Sequence, residues 1–125
     1  MLLDTTFLID LMNGDDGAVD KARELERDLV QQRLSSMTLF ELYYGVARAS
    51  DSPDERERVE TVLESKPVHS ADTVVMRKAG RLANDGTPVD DGDVIIAPTA
   101  DAVDEPVLTR NVDDFERLGA AVETY

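Results

Sequence analysis

Residues Met1–Asp10, MLLDTTFLID, decide how the rest of the chain is read. Met1, Leu2 and Leu3 form a short apolar run that ends on a carboxylate, Asp4. Thr5 and Thr6 follow, and Phe7, Leu8, Ile9, Leu11 and Met12 continue as an apolar segment that stops at Gly14. The pattern predicts a buried strand that delivers one Asp to its own C-terminal end, directly before a helix. Open parallel α/β sheets bind ligands outside the carboxyl ends of their strands, so this is a functional address. Asp4 also has a plainer explanation, as an N-cap that accepts a backbone N–H from the first helical turn. The choice turns on whether other carboxylates reach the same place.

The rest of the chain repeats the arrangement. Asp15 and Asp16 open a second helical pattern, with Val19, Ala22, Leu25, Leu29 and Val30 at near-helical spacing to about residue 33. Leu34-Ser35-Ser36 reads as a short strand entering a turn. Thr38-Leu39-Phe40-Glu41 matches a capping box, Thr with Glu three residues on, and its helix runs to about Ala49. Pro53 suits the first turn of a helix over about 53 to 65. Lys66-Pro67-Val68 is a connector or edge strand, and Ser70 caps a helix over about 71 to 84. Val89-Asp90-Asp91-Gly92-Asp93 then leads into the apolar run Val94–Ala97, with Asp91 or Asp93 as a cap and Pro98 as a kink. Val107–Thr109 is a strand. Asn111 with Asp114 resembles a further cap, and Ala120–Val122 is a last short strand. Strands alternating with helices predict an α/β fold around a mainly parallel sheet.

At 125 residues the chain is near the commonest domain size and is read as one domain, 1–125. Lys+Arg number 13 and Asp+Glu 27, so the formal net charge is −14. Such a chain repels nucleic acid in dilute salt. Either its partner is not nucleic acid, or it works where salt screens the repulsion; in about 1 M salt the Debye length is about 3 Å. An acidic, Lys-poor surface over an ordinary core resembles the proteins of salt-in halophilic archaea, and that origin is the expectation here. The absence of cysteine excludes disulfides, thiolate metal sites and Cys nucleophiles. The single His69 leaves little material for a zinc site or a Ser-His-Asp triad, and it reads as structural or exposed. No apolar run approaches the roughly 20 residues of a membrane span, and the N-terminus lacks a basic leader, so a cytoplasmic protein without membrane contact is expected.

Asp4, Glu41, Asp93 and the Asn111/Asp114 pair share one address, just after an apolar segment or at the start of the next helix. Each has a capping explanation; several at one sheet edge are harder to dismiss. An all-oxygen acidic cluster suits a hard divalent cation, Mg²⁺ or Mn²⁺. Such a metal activates water and offsets charge on a phosphoryl group, which points to phosphoryl chemistry.

The segments MLLDTTFLIDLM, TLFELYYGVAR, GTPVDDGDVIIAPTA and VLTRNVDDFERLGAAVETY resemble, in order, the signature blocks of PIN-domain ribonucleases, above all toxins of the VapC type. The resemblance covers the whole chain. It implies a three-layer α/β/α sandwich with a parallel sheet of four or five strands. It implies a Mg²⁺- or Mn²⁺-dependent endoribonuclease that hydrolyses RNA, a cognate antitoxin that occludes the site, and a homodimer. Carried over by motif, Asp4, Glu41 and Asp93 hold the metal. Asn111 stands where many relatives carry a fourth acid, and Asp114 offers a replacement; Thr6 helps position the metal or its water. Pro98 departs from the small residue usual there, and Asp90 and Asp91 rival Asp93. Arg48, Arg77, Lys78, Arg81 and Arg110 are candidates for phosphate contacts, each with a solvated face as its alternative. Leu8, Leu11, Met12, Phe40 and Tyr44 offer the antitoxin an apolar face or are ordinary core. Two other readings stand beside this one: a PIN-like binding module without activity, and a phospho-acceptor receiver domain.

Overall fold

The computed structural model describes residues 1–125. Five two-residue strands, β1 (Leu2–Leu3), β2 (Leu34–Ser35), β3 (Val68–His69), β4 (Val107–Leu108) and β5 (Val122–Glu123), pair in parallel throughout. β1 pairs with β4, and β4 with β5, with Leu2 opposite Val107 and Val107 opposite Val122. β2 pairs with β3. A bridge between Leu2 and Arg33, with Leu3 N–H donating to Arg33 O at 2.9 Å, joins the two pieces. The resulting order is β3-β2-β1-β4-β5, so the first strand lies at the centre.

Alternation along each strand divides the interior in two. Leu3 and Leu108 face one core, with Phe7, Leu8, Leu34, Leu42, Val46 and Val59. Leu2 and Val107 face the other, with Val94, Ile96, Ala97, Ala100 and Phe115. Successive strand side chains point to opposite faces, so a strand buried on both sides must be apolar at every position, as Leu2-Leu3 and Val107-Leu108 are. Helices α1 (Thr5–Met12), α2 (Asp16–Arg27), α3 (Ser36–Arg48) and α4 (Pro53–Leu63) supply residues to the first core. Helices α6 (Asp93–Val103) and α7 (Val112–Arg117) fill the second, with Leu82 of α5 (Thr73–Asn84) packed against it. The result is a three-layer α/β/α sandwich.

Several boundaries differ from the sequence reading. α2 stops at Arg27 rather than near residue 33. Leu29 adopts φ 54° and Val30 N–H donates to Leu25 O at 2.9 Å, a Schellman-type stop built without glycine. α3 begins at Ser36: Ser35 Oγ accepts Met37 N–H at 3.1 Å, and Thr38 is a buried interior residue rather than a cap. α5 is capped by Asp72, whose Oδ1 accepts Val75 N–H at 3.0 Å, in place of Ser70. Pro98 lies inside α6, which continues to Val103. Leu8 is wholly buried and belongs to the core, whereas Phe40 and Tyr44 are exposed. His69 is part of β3, with its Nε2 buried and unpartnered.

Candidate active site

The carboxyl ends of β1, β2 and β4 meet the N-terminal turns of α1, α3 and α6 at one edge of the sheet. Asp4 follows β1 and is 2 % exposed. It caps α1, with Oδ1 accepting Thr5 N–H at 2.8 Å. Its other oxygen does different work: Oδ2 accepts the hydroxyls of Thr6 and Thr109, each at 2.7 Å. The β1–β4 register, Leu3 opposite Leu108, brings Thr109 to it. Burial raises the Asp4 pKa, and these hydrogen bonds to the ionised form oppose the rise.

Glu41 loses its capping explanation altogether. Ser35 caps α3, so Glu41 sits in the helix interior, too far along to reach a cap N–H. Its Oε1 accepts the Thr5 hydroxyl at 2.8 Å, and Thr5 Oγ1 also lies 3.1 Å from Thr38 Oγ1. Burial pushes its pKa up; the Thr5 hydrogen bond opposes this, and the charges of Asp4 and Asp90 add to it.

Asp93 is the first residue of α6 and is 7 % exposed. Gly92 holds the cap position, so neither Asp91 nor Asp93 is the cap. Its carboxyl is pushed up to about 7, first by burial and then by the charges of Asp4, Asp90, Asp114 and Glu41. Its Oδ2 is buried without a hydrogen-bond partner. Acids drawn from four separate stretches of the chain thus oppose one another's ionisation in one place.

The remaining residues divide clearly. Asp114 is half-buried on α7, 3.5 Å from Arg117, and adds to the field at Asp93. Asn111 stands at the start of α7 but makes no side-chain cap; its backbone N–H donates to Thr109 Oγ1 at 2.9 Å. Asp90 and Asp91 are both exposed. Arg110 follows Thr109 and is ion-paired with Asp10 at 2.9 Å. Arg48 lies at the exposed end of α3, over the Tyr44 ring at 5.8 Å. Arg77 is exposed on α5. Lys78 and Arg81 line a cavity of about 660 Å³ with Asp101, Asp104, Pro106 and Ala120. That cavity lies at the amino ends of β4 and β5, at the opposite end of α6 from Asp93. Of the basic candidates, only Arg110 stands beside a residue that touches the acids.

The sequence reading missed Thr5 and Thr109. Both are threonines at strand ends, but only the register between β1 and β4 and the true start of α3 reveal what they touch. It also missed the buried Asp10, which accepts from Arg110 and from Tyr125 Oη at 2.6 Å.

The donor set suits a hard divalent cation: all oxygen, anionic, partly desolvated, with one acceptor unused. As the side chains stand, no three acids converge closely enough to ligate one ion. Thr5 holds Glu41, and Thr6 with Thr109 occupies Asp4 Oδ2. The residues therefore fit a divalent cation in their chemistry, while their side chains stand short of ligating geometry.

Comparison with known proteins bears on the family and the fold. The profile of one family, the PIN domain, matches residues 1–121. Among solved structures, DNA-bound VapBC from Salmonella typhimurium is 28 % identical, with a TM-score of 0.80 over 98 % of this chain and 96 % of that one. VapBC-5 from Mycobacterium tuberculosis, a member of the VapBC family of toxin–antitoxin systems, is 27 % identical, with a TM-score of 0.64 over 98 % and 94 %. VapBC2 from Rickettsia felis, bound to a DNA fragment from its promoter, has a TM-score of 0.85 over 98 % and 96 %. At 21 % identity that last likeness is one of fold. A comparison with curated protein sequences returns no match.

Proposed function

The chain belongs to the PIN-domain family, and from that premise we propose that it is a divalent-metal-dependent endoribonuclease, the toxin of a toxin–antitoxin pair. A phospho-acceptor receiver domain is a different family, and that reading ends here. The observation that carries the proposal is Asp93: a buried carboxyl with a free oxygen, its ionisation opposed by Asp4, Asp90, Asp114 and Glu41. A divalent cation would relieve that opposition as no neutral ligand can.

In this reading Asp4, Glu41 and Asp93 hold Mg²⁺ or Mn²⁺, with Asp114 completing the acidic wall. When bound, the metal supplies a water of lowered pKa and offsets charge on the phosphoryl oxygens. Thr6 and Thr109 fix Asp4 through Oδ2, and Thr5 fixes Glu41. These hydroxyls orient two anions without adding a charge that would compete with the metal. Arg110, held by Asp10, binds a phosphate beside the scissile bond. The leaving oxygen of the RNA takes a proton from solvent at the exposed rim.

The likeness to VapBC complexes supports a cognate antitoxin as partner, and we extend it to a homodimer in the cytoplasm of a halophilic archaeon. No helix is long and apolar enough to cross a membrane. The competing reading, a PIN-like module that binds an antitoxin and catalyses nothing, draws on the lack of three converged acids. The discriminating experiment is incubation of a structured RNA with the protein in high salt, with and without Mn²⁺. Cleavage that appears with Mn²⁺ and stops with chelator supports the nuclease; intact RNA under both conditions leaves the binding module.

A further inference from the structure

Gly92 has no backbone reason to be glycine. Its φ of −63° and ψ of −40° are those of a right-handed helix, open to any residue. It heads α6 without a side-chain cap, where Ser, Asp or Asn would satisfy a first-turn N–H. It is also buried.

Its surroundings supply the reason. A Cβ placed on Gly92 would lie 3.1 Å from Oε2, 3.2 Å from Cδ and 3.2 Å from Oε1 of Glu41. Near-equal distances to all three atoms mean that the carboxylate fills the space a side chain at 92 would enter. Those separations are tighter than ordinary van der Waals contact, so any side chain here displaces the carboxylate by a few tenths of an ångström. The same carboxylate is held by the Thr5 hydroxyl at 2.8 Å. Of the glycines inside helices, Gly45 and Gly80 have nothing within 4 Å of such a Cβ, and Gly17 has a single carboxylate oxygen, of its N-cap Asp15, at 3.3 Å. At Gly92 alone does a whole carboxylate, from a distant part of the chain, stand within 3.2 Å.

We infer that Gly92 is a positioning residue: its bare backbone is the wall that sets where the Glu41 carboxylate stands relative to Asp93, the next residue along the chain. The inference rests on the reading of Glu41 and Asp93 as metal-holding residues. Glycine at a helical position weakens the fold slightly relative to alanine. The site thus keeps a residue that local stability disfavours, because alanine would push one ligand away from the other.

The test sets two readouts against each other. In Gly92→Ala, the thermal midpoint of the metal-free protein should hold or rise, because alanine removes backbone freedom from the unfolded chain. Mn²⁺ affinity, measured by calorimetry on the same protein, should fall about tenfold, the effect of a ligand held off its geometry. Glu41→Asp withdraws the carboxylate by one methylene. It should bind Mn²⁺ weakly alone, yet lose nothing further when combined with Gly92→Ala, because the overlap is gone. Glu41→Gln serves as control. If Gly92→Ala binds Mn²⁺ like the wild type while Glu41→Gln does not, the inference is overturned and the nuclease reading stands. If Glu41→Gln also binds like the wild type, the ligand assignment fails and the inference falls with it. A Gly92→Ala protein that melts early, and whose added loss persists on the Glu41→Asp background, shows general damage and also counts against the inference.

Discussion

Arg110, the residue after the Thr109 that contacts Asp4, is ion-paired with the buried Asp10. Arg110 Nη1 lies 3.0 Å from Oδ1 and 2.9 Å from Oδ2 of Asp10, and Asp10 Oδ2 also accepts the Tyr125 hydroxyl. Asp10 is buried and the Arg110 side chain is 60 % exposed, so the buried acid holds a cation that faces solvent. If this cation meets substrate phosphate, Arg110→Gln raises KM about tenfold and leaves kcat within a factor of about three, since a charged hydrogen bond contributes about 1.5–3 kcal/mol. Asp10→Asn, which loosens the guanidinium without removing it, should give a smaller rise. Steady-state cleavage of an RNA oligonucleotide checks both; an Arg110→Gln effect confined to kcat would remove the phosphate-binding role.

Asp4→Asn should abolish Mn²⁺-dependent cleavage and leave the fold intact. The amide oxygen still accepts Thr5 N–H. The amide nitrogen can donate to the Thr6 and Thr109 hydroxyls, which rotate to accept. Charge at a buried site disappears while its hydrogen bonds survive. Circular dichroism should match the wild type, with a thermal midpoint at least as high. Wild-type cleavage by this variant would show that Asp4 is not a metal ligand.

The metal-free protein should lose stability as pH rises from about 4 to about 7. Asp93 titrates near 7 in the folded protein, against 3.8 for an unperturbed Asp, and Asp4 and Glu41 are raised as well. In that window the folded state binds more protons than the unfolded chain, so the unfolding free energy falls with increasing pH and flattens above 7. With solvent screening, the Asp93 share is on the order of 1–2 kcal/mol. Urea melts of wild type and Asp93→Asn at several pH values isolate it: the variant should gain on the wild type as pH rises. Parallel curves would show that Asp93 is not held protonated.

Stability should also depend strongly on salt. A net charge of −14 on 125 residues repels itself, and the Debye length grows to about 30 Å at 0.01 M salt. Thermal midpoints should climb steeply from about 0.1 to 3 M KCl, the range over which long-range repulsion is screened away. A midpoint indifferent to KCl would exclude a halophilic origin.

A partner that silences the site should carry a cation. The acid cluster attracts positive charge, and an Arg reaching Glu41 or Asp93 would compete with the metal bidentately. Phe40 and Tyr44 are 61 % and 54 % exposed, and Leu11 and Met12 partly so; these, without the buried Leu8, offer the partner apolar contact. A small protein with a cationic, apolar tail should co-purify from the native host and suppress cleavage. Truncating the tail should restore activity; equal inhibition by the truncated form would discard occlusion by an inserted cation.

The architecture was largely legible because β1 and β4 are apolar at every position and the helices between them are amphipathic. The acids were legible as candidates, yet two stood on uncertain local grounds. Thr38-x-x-Glu41 reads as a capping box, but where β2 ends decides the cap, and Ser35 takes it. Asp90, Asp91 and Asp93 look equivalent in sequence, and only burial separates them. Thr109 and Asp10 left no local trace, since their importance comes from strand register and from a contact with Tyr125, 115 residues away.

The central position of β1 has a consequence for synthesis. The strand made first is flanked by β2 and β4, and the Asp4–Thr109 contact spans 105 residues. At roughly 5–20 residues per second, a ribosome needs about 5–20 s to pass from one to the other. Until then Asp4 lacks its β4 partner, Asp93 has no finished wall opposite it, and a growing chain carries the acids without the site. If the chain is the nuclease proposed above, it is thereby kept from assembling its cutting edge while still tethered to the machinery, and the message, that it could destroy.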